Sequence, residues 1–358
     1  MATTQEARAA RLEQHLARLP RLPLVTAPTP LQPAPRLSAE LGGPRIFIKR
    51  DDLTGLMFGG NKVRQMEFVL GAALAERADT FICGGSGAQS NHARVGAAAA
   101  RVAGMQPVVV VQPGPEPSPT ALTGNALLVQ LLGAEVRLAP ELAQAPAGRL
   151  AQLETRRLVM ERIAAEYRAR GRAPYVLLGS SIPLAVLGYV AATLELRLQC
   201  EAQRVRPDIV FVCSSAATQA GLELGRRLLG ETHRIVGIGH TPGETQAPAW
   251  ITELARGAAD LLEMPVEADH QEIEHDLGYA GAVHGCVTDA AREALALLAQ
   301  TEGIPLDPVY SAKAMAGLID WVRHGRLGRD QTAVFVHTGG LPSLFAYGAD
   351  VLVGDRPA

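Results

Sequence analysis

The feature that most constrains this chain is a hydrophobic period that keeps changing from two to about 3.6. Short β-branched runs recur: "TFICGG" (80–85), "QPVVVVQP" (106–113), "AEVRLAP" (134–140), "PYVLLGS" (174–180), "DIVFVCSS" (208–215), "RIVGIGH" (234–240) and "AVFVHTGG" (333–340). Most are followed by an Ala/Leu/Arg-rich stretch with helical spacing, as at 90–103, 121–132, 186–203, 217–229 and 289–300. Strands joined through helices must run parallel and be covered on both faces, so the pattern predicts an α/β protein. The Pro-rich "PTPLQPAPRL" (28–37) leads into a further strand-like run, "RIFIKRDD" (45–52). The units separate into two groups, giving an expected large domain of 1–64 and 174–358 and a small domain of 65–173. A ligand is expected in the cleft between two open twisted sheets.

With 358 residues, 47% of them hydrophobic, the chain can bury a sizeable core. A formal charge of −2 and the absence of any block of five like charges exclude an electrostatic footprint for nucleic acid or an anionic membrane. Small neutral or zwitterionic partners fit better. No run of 18 apolar residues argues for a membrane span. Cys83, Cys200, Cys213 and Cys286 are widely spaced and read as reduced core residues of a cytoplasmic protein. The N-terminal segment reads as a plain helix, since Glu6 and Glu13 stand among its arginines and it lacks the apolar core of a secretory signal. The acidic "EMPVEADHQEIEHDLG" (263–278) reads as a surface insertion; its His270 and His275 read as surface histidines, and no metal site is expected.

Arginine supplies nearly all the positive charge: of 34 basic residues only Lys49, Lys62 and Lys313 are lysine. An amine serves carbonyl chemistry as a nucleophile where a guanidinium cannot. Lys62 is the sharpest of the three, because "GGNK" (59–62) sets it at the start of a helix expected from Val63 to about Ala75, whose dipole favours the neutral amine. The competing reading is an exposed lysine at a helix start.

"GGSGAQSNHAR" (84–94) puts small residues between a strand and a helix beginning near Ser90, which makes an anion site or an ordinary serine cap. It is not a dinucleotide fingerprint, since Gln89 stands where the third glycine belongs. "CSSAATQAGLELG" (213–225) is again strand, small-residue turn and helix. Its Ser214, Ser215 and Thr218 hydroxyls suit a phosphate; close helix–sheet packing would need the same small residues. "LDPVYSAKAM" (306–315) offers Tyr310 and Ser311, and "HTGG" (337–340) offers Thr338. An amine for an aldehyde, a turn for a phosphate and a hydroxyl for a ring nitrogen together describe a pyridoxal phosphate pocket.

"IKRDDLTGL", "GGNKVRQMEF", "GAQSNHAR", "GSSIPLAVLGYV", "SSAATQAG", "LDPVYSAKAMAGLID" and "HTGGLPSLFAY" occur in that order from about Pro28 to Tyr347. They resemble the pyridoxal phosphate-dependent family that contains D-cysteine desulfhydrase and 1-aminocyclopropane-1-carboxylate (ACC) deaminase. The resemblance implies a tryptophan-synthase-β-like (fold type II) enzyme, a homodimer, pyridoxal 5'-phosphate as cofactor held by the large domain, and Lys62 as the Schiff-base lysine. It implies that Asn91 faces the cofactor's phenolic oxygen and that Gln89, Ser90, Asn91 and His92 hold the carboxylate of a small amino-acid substrate. Ser215, Ala216, Ala217 and Thr218 would wrap the phosphate, Ser311 and Thr338 would serve the ring nitrogen, and Tyr310, with Tyr279 as a second tyrosine, would lie beside the substrate.

Family members commonly carry glycine in the phosphate turn, so any position there needing positive φ would be strained at Ala216 or Ala217. Ser311 and Thr338 resemble the desulfhydrases; the deaminases typically show glutamate and leucine there. A hydroxyl leaves the ring a weaker electron sink than a carboxylate does, which suffices for β-elimination of a thiolate. The expected activity is conversion of D-cysteine to pyruvate, ammonia and sulfide, with Lys62, alone or with Tyr310, moving the Cα proton. Met57, Phe58 and His284 shape a pocket whose substrate could instead be the cyclopropane or another β-substituted amino acid such as cysteate. A nicotinamide-dependent dehydrogenase shares the α/β pattern but lacks the glycine fingerprint. A non-catalytic amino-acid-binding module would not need Lys62 and Tyr310.

Overall fold

The computed structural model describes residues 4–85, 87–112, 122–145, 149–179, 181–214 and 216–352. Among the described residues ten strands form two sheets: β1 (Leu31–Pro33), β2 (Arg45–Lys49), β3 (Thr80–Gly85), β4 (Gln106–Val111), β5 (Glu135–Leu138), β6 (Pro174–Leu177), β7 (Ile209–Cys213), β8 (Arg234–Ile238), β9 (Glu274–Asp276) and β10 (Thr332–Val336). The larger sheet has the order β1-β2-β10-β7-β8-β9 and the smaller β5-β4-β3-β6. Every pairing is parallel except β1 with β2. Each expected strand-like run is a strand, and the central ones are fully buried, as sheets covered on both faces require.

β6 pairs with β3, Thr80 opposite Pro174, so the smaller sheet extends to Leu177. The acidic stretch 263–278 is not a mere insertion, because its Glu274–Asp276 forms β9 beside β8 and closes one edge of the larger sheet. Its three polar residues are half-buried, and polar side chains suit a sheet edge. The N-terminal helix, Thr4–Ala17, buries Ala9, Leu12 and Leu16.

The core between the sheets is built on helices. Helix Asn61–Ala75 buries Val63, Met66, Phe68, Val69 and Leu70 in one cluster with Val186, Leu187 and Val190 of helix Pro183–Gln203 and with Phe81 and Cys83 of β3. The two helices approach so closely that a Cβ on Gly188 would stand 2.3 Å from the Arg64 carbonyl oxygen. Beneath them lies a buried ionic cluster. Arg64 donates to both oxygens of Asp51 (2.8 Å each) and to Glu195 (3.0 and 3.1 Å), and Tyr189 donates to Asp51 (2.7 Å). Lys49 joins it through Glu195, Gln199 (2.6 Å) and the Thr29 carbonyl (2.8 Å). Lys49 is therefore structural.

Candidate active site

The ends of β2, β7, β8 and β10 lie side by side, and the loops leaving them converge where ligands bind in open α/β sheets. Lys62 enters from the loop after β2. That loop is strained: Met57 and Phe58 have φ of 46° and 66°, followed by Gly59 and Gly60 at 62° and 111°. Left-handed non-glycine residues in succession are unfavourable unless their surroundings enforce them. Here Arg94, completely buried in helix Asn91–Val102, grips the Met57 carbonyl and donates to that of Gly59 (3.2 Å). The Asn61 amide donates to the Thr338 carbonyl (3.0 Å), which fixes the helix start against the loop after β10. Helix Asn61–Ala75 begins one residue before Lys62. Burial pushes the Lys62 amine from the ordinary lysine range down to about 8.

After β7 the chain turns into helix Ala217–Leu229. Its first turn is held by the Ser214 hydroxyl, which accepts from the amides of Ala216 (3.2 Å) and Gln219 (3.1 Å). Ala216 has φ −160°, extended backbone open to any residue, so alanine introduces no strain here. The Thr218 hydroxyl accepts from Asn61 Nδ2 (2.9 Å) and Gln65 Nε2 (3.1 Å), which leaves its own proton to donate. A helix N-terminus whose N-cap residue, Ala216, has no capping side chain of its own, plus a hydroxyl with its proton to give, suits a phosphate. Ser215 lies outside the described residues.

On the opposite wall, Ser90 caps helix Asn91–Val102, its hydroxyl accepting from the Ala93 amide (3.2 Å). Asn91 Oδ1 accepts from Asn125 (2.9 Å) and Arg94 (3.4 Å), which turns its amide nitrogen outward. His92 is 9% exposed, and neither buried ring nitrogen has a hydrogen-bond partner. Burial, reinforced by Lys62 and Arg156, holds its pKa at about 3, so the ring is neutral. Gln89 does not join this group through its side chain, because its amide donates to the Thr123 carbonyl (3.1 Å) and accepts from the Asn125 amide (2.9 Å). It anchors the neighbouring segment.

Tyr310 and Ser311 stand at the start of helix Ser311–Arg323. Asp307 organises that start by accepting from the amides of Val309 (3.0 Å), Tyr310 (2.9 Å) and Ser311 (2.7 Å) and from the Ser311 hydroxyl (2.5 Å). The Ser311 proton is thereby committed, so toward a ring nitrogen the hydroxyl acts as an acceptor. Burial raises the pKa of Asp307 against these bonds. Tyr279 is not brought beside Tyr310. Its hydroxyl donates to Asp320 (2.5 Å), nine residues beyond Ser311 and so about 13 Å farther along the helix. Two histidines occupy that place instead. The His240 and His284 rings lie 4.9 and 6.0 Å from the Tyr310 ring.

Sequence reasoning missed His240, Arg94 and Asp307, and gave His284 no more than pocket shape. His240 follows β8 at the ligand edge, a signal that was readable; the approach of residue 284 to it was not. His275 also differs from expectation, with Nδ1 3.1 Å from Gln219 Oε1 and burial holding its pKa at about 4. Among the described residues no group of three or more His, Cys, Asp or Glu could hold a metal, and no helix is long and apolar enough to cross a membrane.

A desolvated amine close to Cys213 at the end of β7, where the chain passes into a helix N-terminus, suits a cofactor-binding α/β enzyme. Residues 22–339 match the family model described as pyridoxal-phosphate dependent enzyme, and the chain belongs to that family. The chain is 40% identical over 337 residues to a D-cysteine desulfhydrase of Klebsiella pneumoniae, covering 93% of this chain and 98% of the relative. It is 39% identical over 336 residues to that of Salmonella paratyphi B, with the same coverage. A crystal structure described as an ACC deaminase homologue superposes with a TM-score of 0.83 at 37% identity, covering 96% of this chain and 98% of the other. The fold is the fold type II arrangement, and the cofactor is pyridoxal phosphate.

Proposed function

We propose that the protein is a carbon–sulfur lyase that eliminates the β-substituent of a small amino acid and converts D-cysteine to pyruvate, ammonia and sulfide. The observation that carries this is Lys62: an amine with its pKa lowered to about 8 by burial, at the start of the helix that follows an enforced loop, close enough to Cys213 at the end of β7 and to His92 for their charges to interact. The relatives named above supply the substrate. Bound pyridoxal phosphate supplies an aldehyde for the amine and an electron sink for the Cα–H bond. Lys62 would hold the cofactor and, as a free amine, would take the Cα proton. Ala216, Ala217 and Thr218, with Ser215, bind the phosphate, Asn91 donates toward the phenolic oxygen, and Ser311 with Thr338 receives the ring nitrogen. Ser90, Asn91 and His92 hold the substrate carboxylate, and Tyr310 lies against the substrate.

The smaller sheet, about residues 65–177, would form the mobile wall of the cleft, and the remainder the cofactor-binding domain. The protein would work as a homodimer in the cytoplasm, the latter supported by the unpaired Cys83, Cys200 and Cys213. Sedimentation at working concentration checks the dimer. A second reading, ACC deaminase, is favoured by the ACC deaminase homologue. Assaying sulfide from D- and L-cysteine beside 2-oxobutanoate from the cyclopropane substrate separates the two: sulfide from D-cysteine supports the proposal, and 2-oxobutanoate alone contradicts it.

A further inference from the structure

We propose that His240 and His284 recognise the β-substituent of the substrate, and that the pocket accepts there, beside the thiol of cysteine, a sulfur oxyanion, as in a sulfonated or sulfinated alanine. The inference rests on the lyase reading and specifies its substrate class. The two rings reach Tyr310 from separate segments, His240 two residues beyond β8 and His284 from the loop before helix Asp289–Glu302. Their centroids are 5.6 Å apart. Lys313 ties both segments to the helix that begins at Ser311, donating to the Ala280 carbonyl (2.6 Å) and to the His240 carbonyl (3.3 Å). The third lysine is thus a brace for the histidine wall.

The ring atoms carry the argument further. His284 Nδ1 faces the Thr241 hydroxyl (3.2 Å), whereas its Nε2 is buried without a hydrogen-bond partner. His240 Nδ1 is likewise buried without one. Two open imidazole nitrogens on one wall are unfavourable unless a ligand meets them, and a thiol, a weak acceptor, gains little from them. An oxyanion with two or three acceptor oxygens can engage both. The charges acting on the pair agree. Beyond burial, His284 feels Lys313, and His240 feels Lys313, Lys62 and the histidines His284 and His275, all of which disfavour further positive charge on the rings. The nearby Asp307 carboxylate is taken up by three amides and a hydroxyl. In the tautomers that put the proton on those two open nitrogens, neutral imidazoles in a positive potential favour an anion.

The reaction balances without an oxidant or reductant. Lys62 takes the Cα proton, the Cβ–S bond breaks with its electron pair leaving on sulfur as sulfite, and water hydrolyses the released three-carbon enamine to pyruvate and ammonium. The test uses purified holoenzyme with D- and L-cysteate beside D-cysteine, measuring sulfite, sulfide and pyruvate, and uses methanesulfonate as a non-reacting competitor. Sulfite release from one cysteate enantiomer is expected, with competitive inhibition by methanesulfonate. His284→Phe should lower the kcat/KM ratio of cysteate to cysteine by about tenfold or more, the scale for a charged acceptor losing one donor. His284→Gln, which keeps a donor, should recover part of it. Sulfide from D-cysteine with no sulfite from either cysteate overturns the inference and leaves the lyase reading standing, as does an unchanged ratio in both His284→Phe and His240→Phe. Protein that binds no cofactor overturns both.

Discussion

At the scale of single residues, proton positions decide the chemistry. Lys62 has a folded-state pKa of about 8, below its unfolded value, so the amine is charged below that pH and neutral above it. Cofactor-free protein should therefore gain reactivity toward a small aromatic aldehyde as pH rises through about 8, not through about 10.4 as an exposed lysine would. Stopped-flow absorbance at the imine band checks this. Asp307→Asn removes the carboxylate that accepts the Ser311 proton and three amides, so a loss of about 2–4 kcal/mol in stability by urea unfolding is expected, together with a shifted cofactor absorbance. Lys62 stands out in the sequence as a candidate because a chain rich in arginine retains a lysine beside two glycines. Tyr279 misled because tyrosine chemistry is visible in sequence while the direction of a side chain is not: Asp320 takes its hydroxyl, and His284 holds the expected place.

At the scale of elements, the strained loop and the helix that grips it act together. Arg94→Met leaves the Met57 and Gly59 carbonyls without their guanidinium, and at least a tenfold fall in kcat/KM is expected through mispositioning of Lys62. Arg94→Lys should recover little, since an ammonium cannot reproduce the planar fork, and circular dichroism of the bound cofactor should report the displaced ring. The phosphate turn gives the opposite expectation. Because Ala216 sits in extended backbone, Ala216→Gly should change cofactor affinity by less than about twofold and lower stability by about 0.5–1 kcal/mol through added chain freedom, read by equilibrium dialysis and thermal melts. The buried strands were legible because sheets covered on both faces need long β-branched runs. β9 was not, since three polar residues at a sheet edge carry no period, and the membership of β6 depends on pairing rather than composition.

For the whole molecule, two helices crossing beneath the cleft join the sheets, and Gly188 permits their approach. Gly188→Ala would place a Cβ 2.3 Å from a backbone oxygen, so a loss of about 1–3 kcal/mol in stability is expected by denaturant unfolding, with the two helices forced apart under Lys62. The α/β class and the ordered motifs were legible along the chain, because each is local. The ionic cluster of Asp51, Arg64, Glu195 and Lys49 and the histidine wall were not, because their members meet only after folding. Borohydride reduction of the purified protein followed by peptide mass analysis tests directly whether Lys62 carries the cofactor. A yellow chromophore bleached by the reagent, with the cofactor trapped on the peptide containing Lys62 and absent from Lys62→Ala, is predicted; cofactor trapped on Lys49 or Lys313, or on no lysine, would contradict the account.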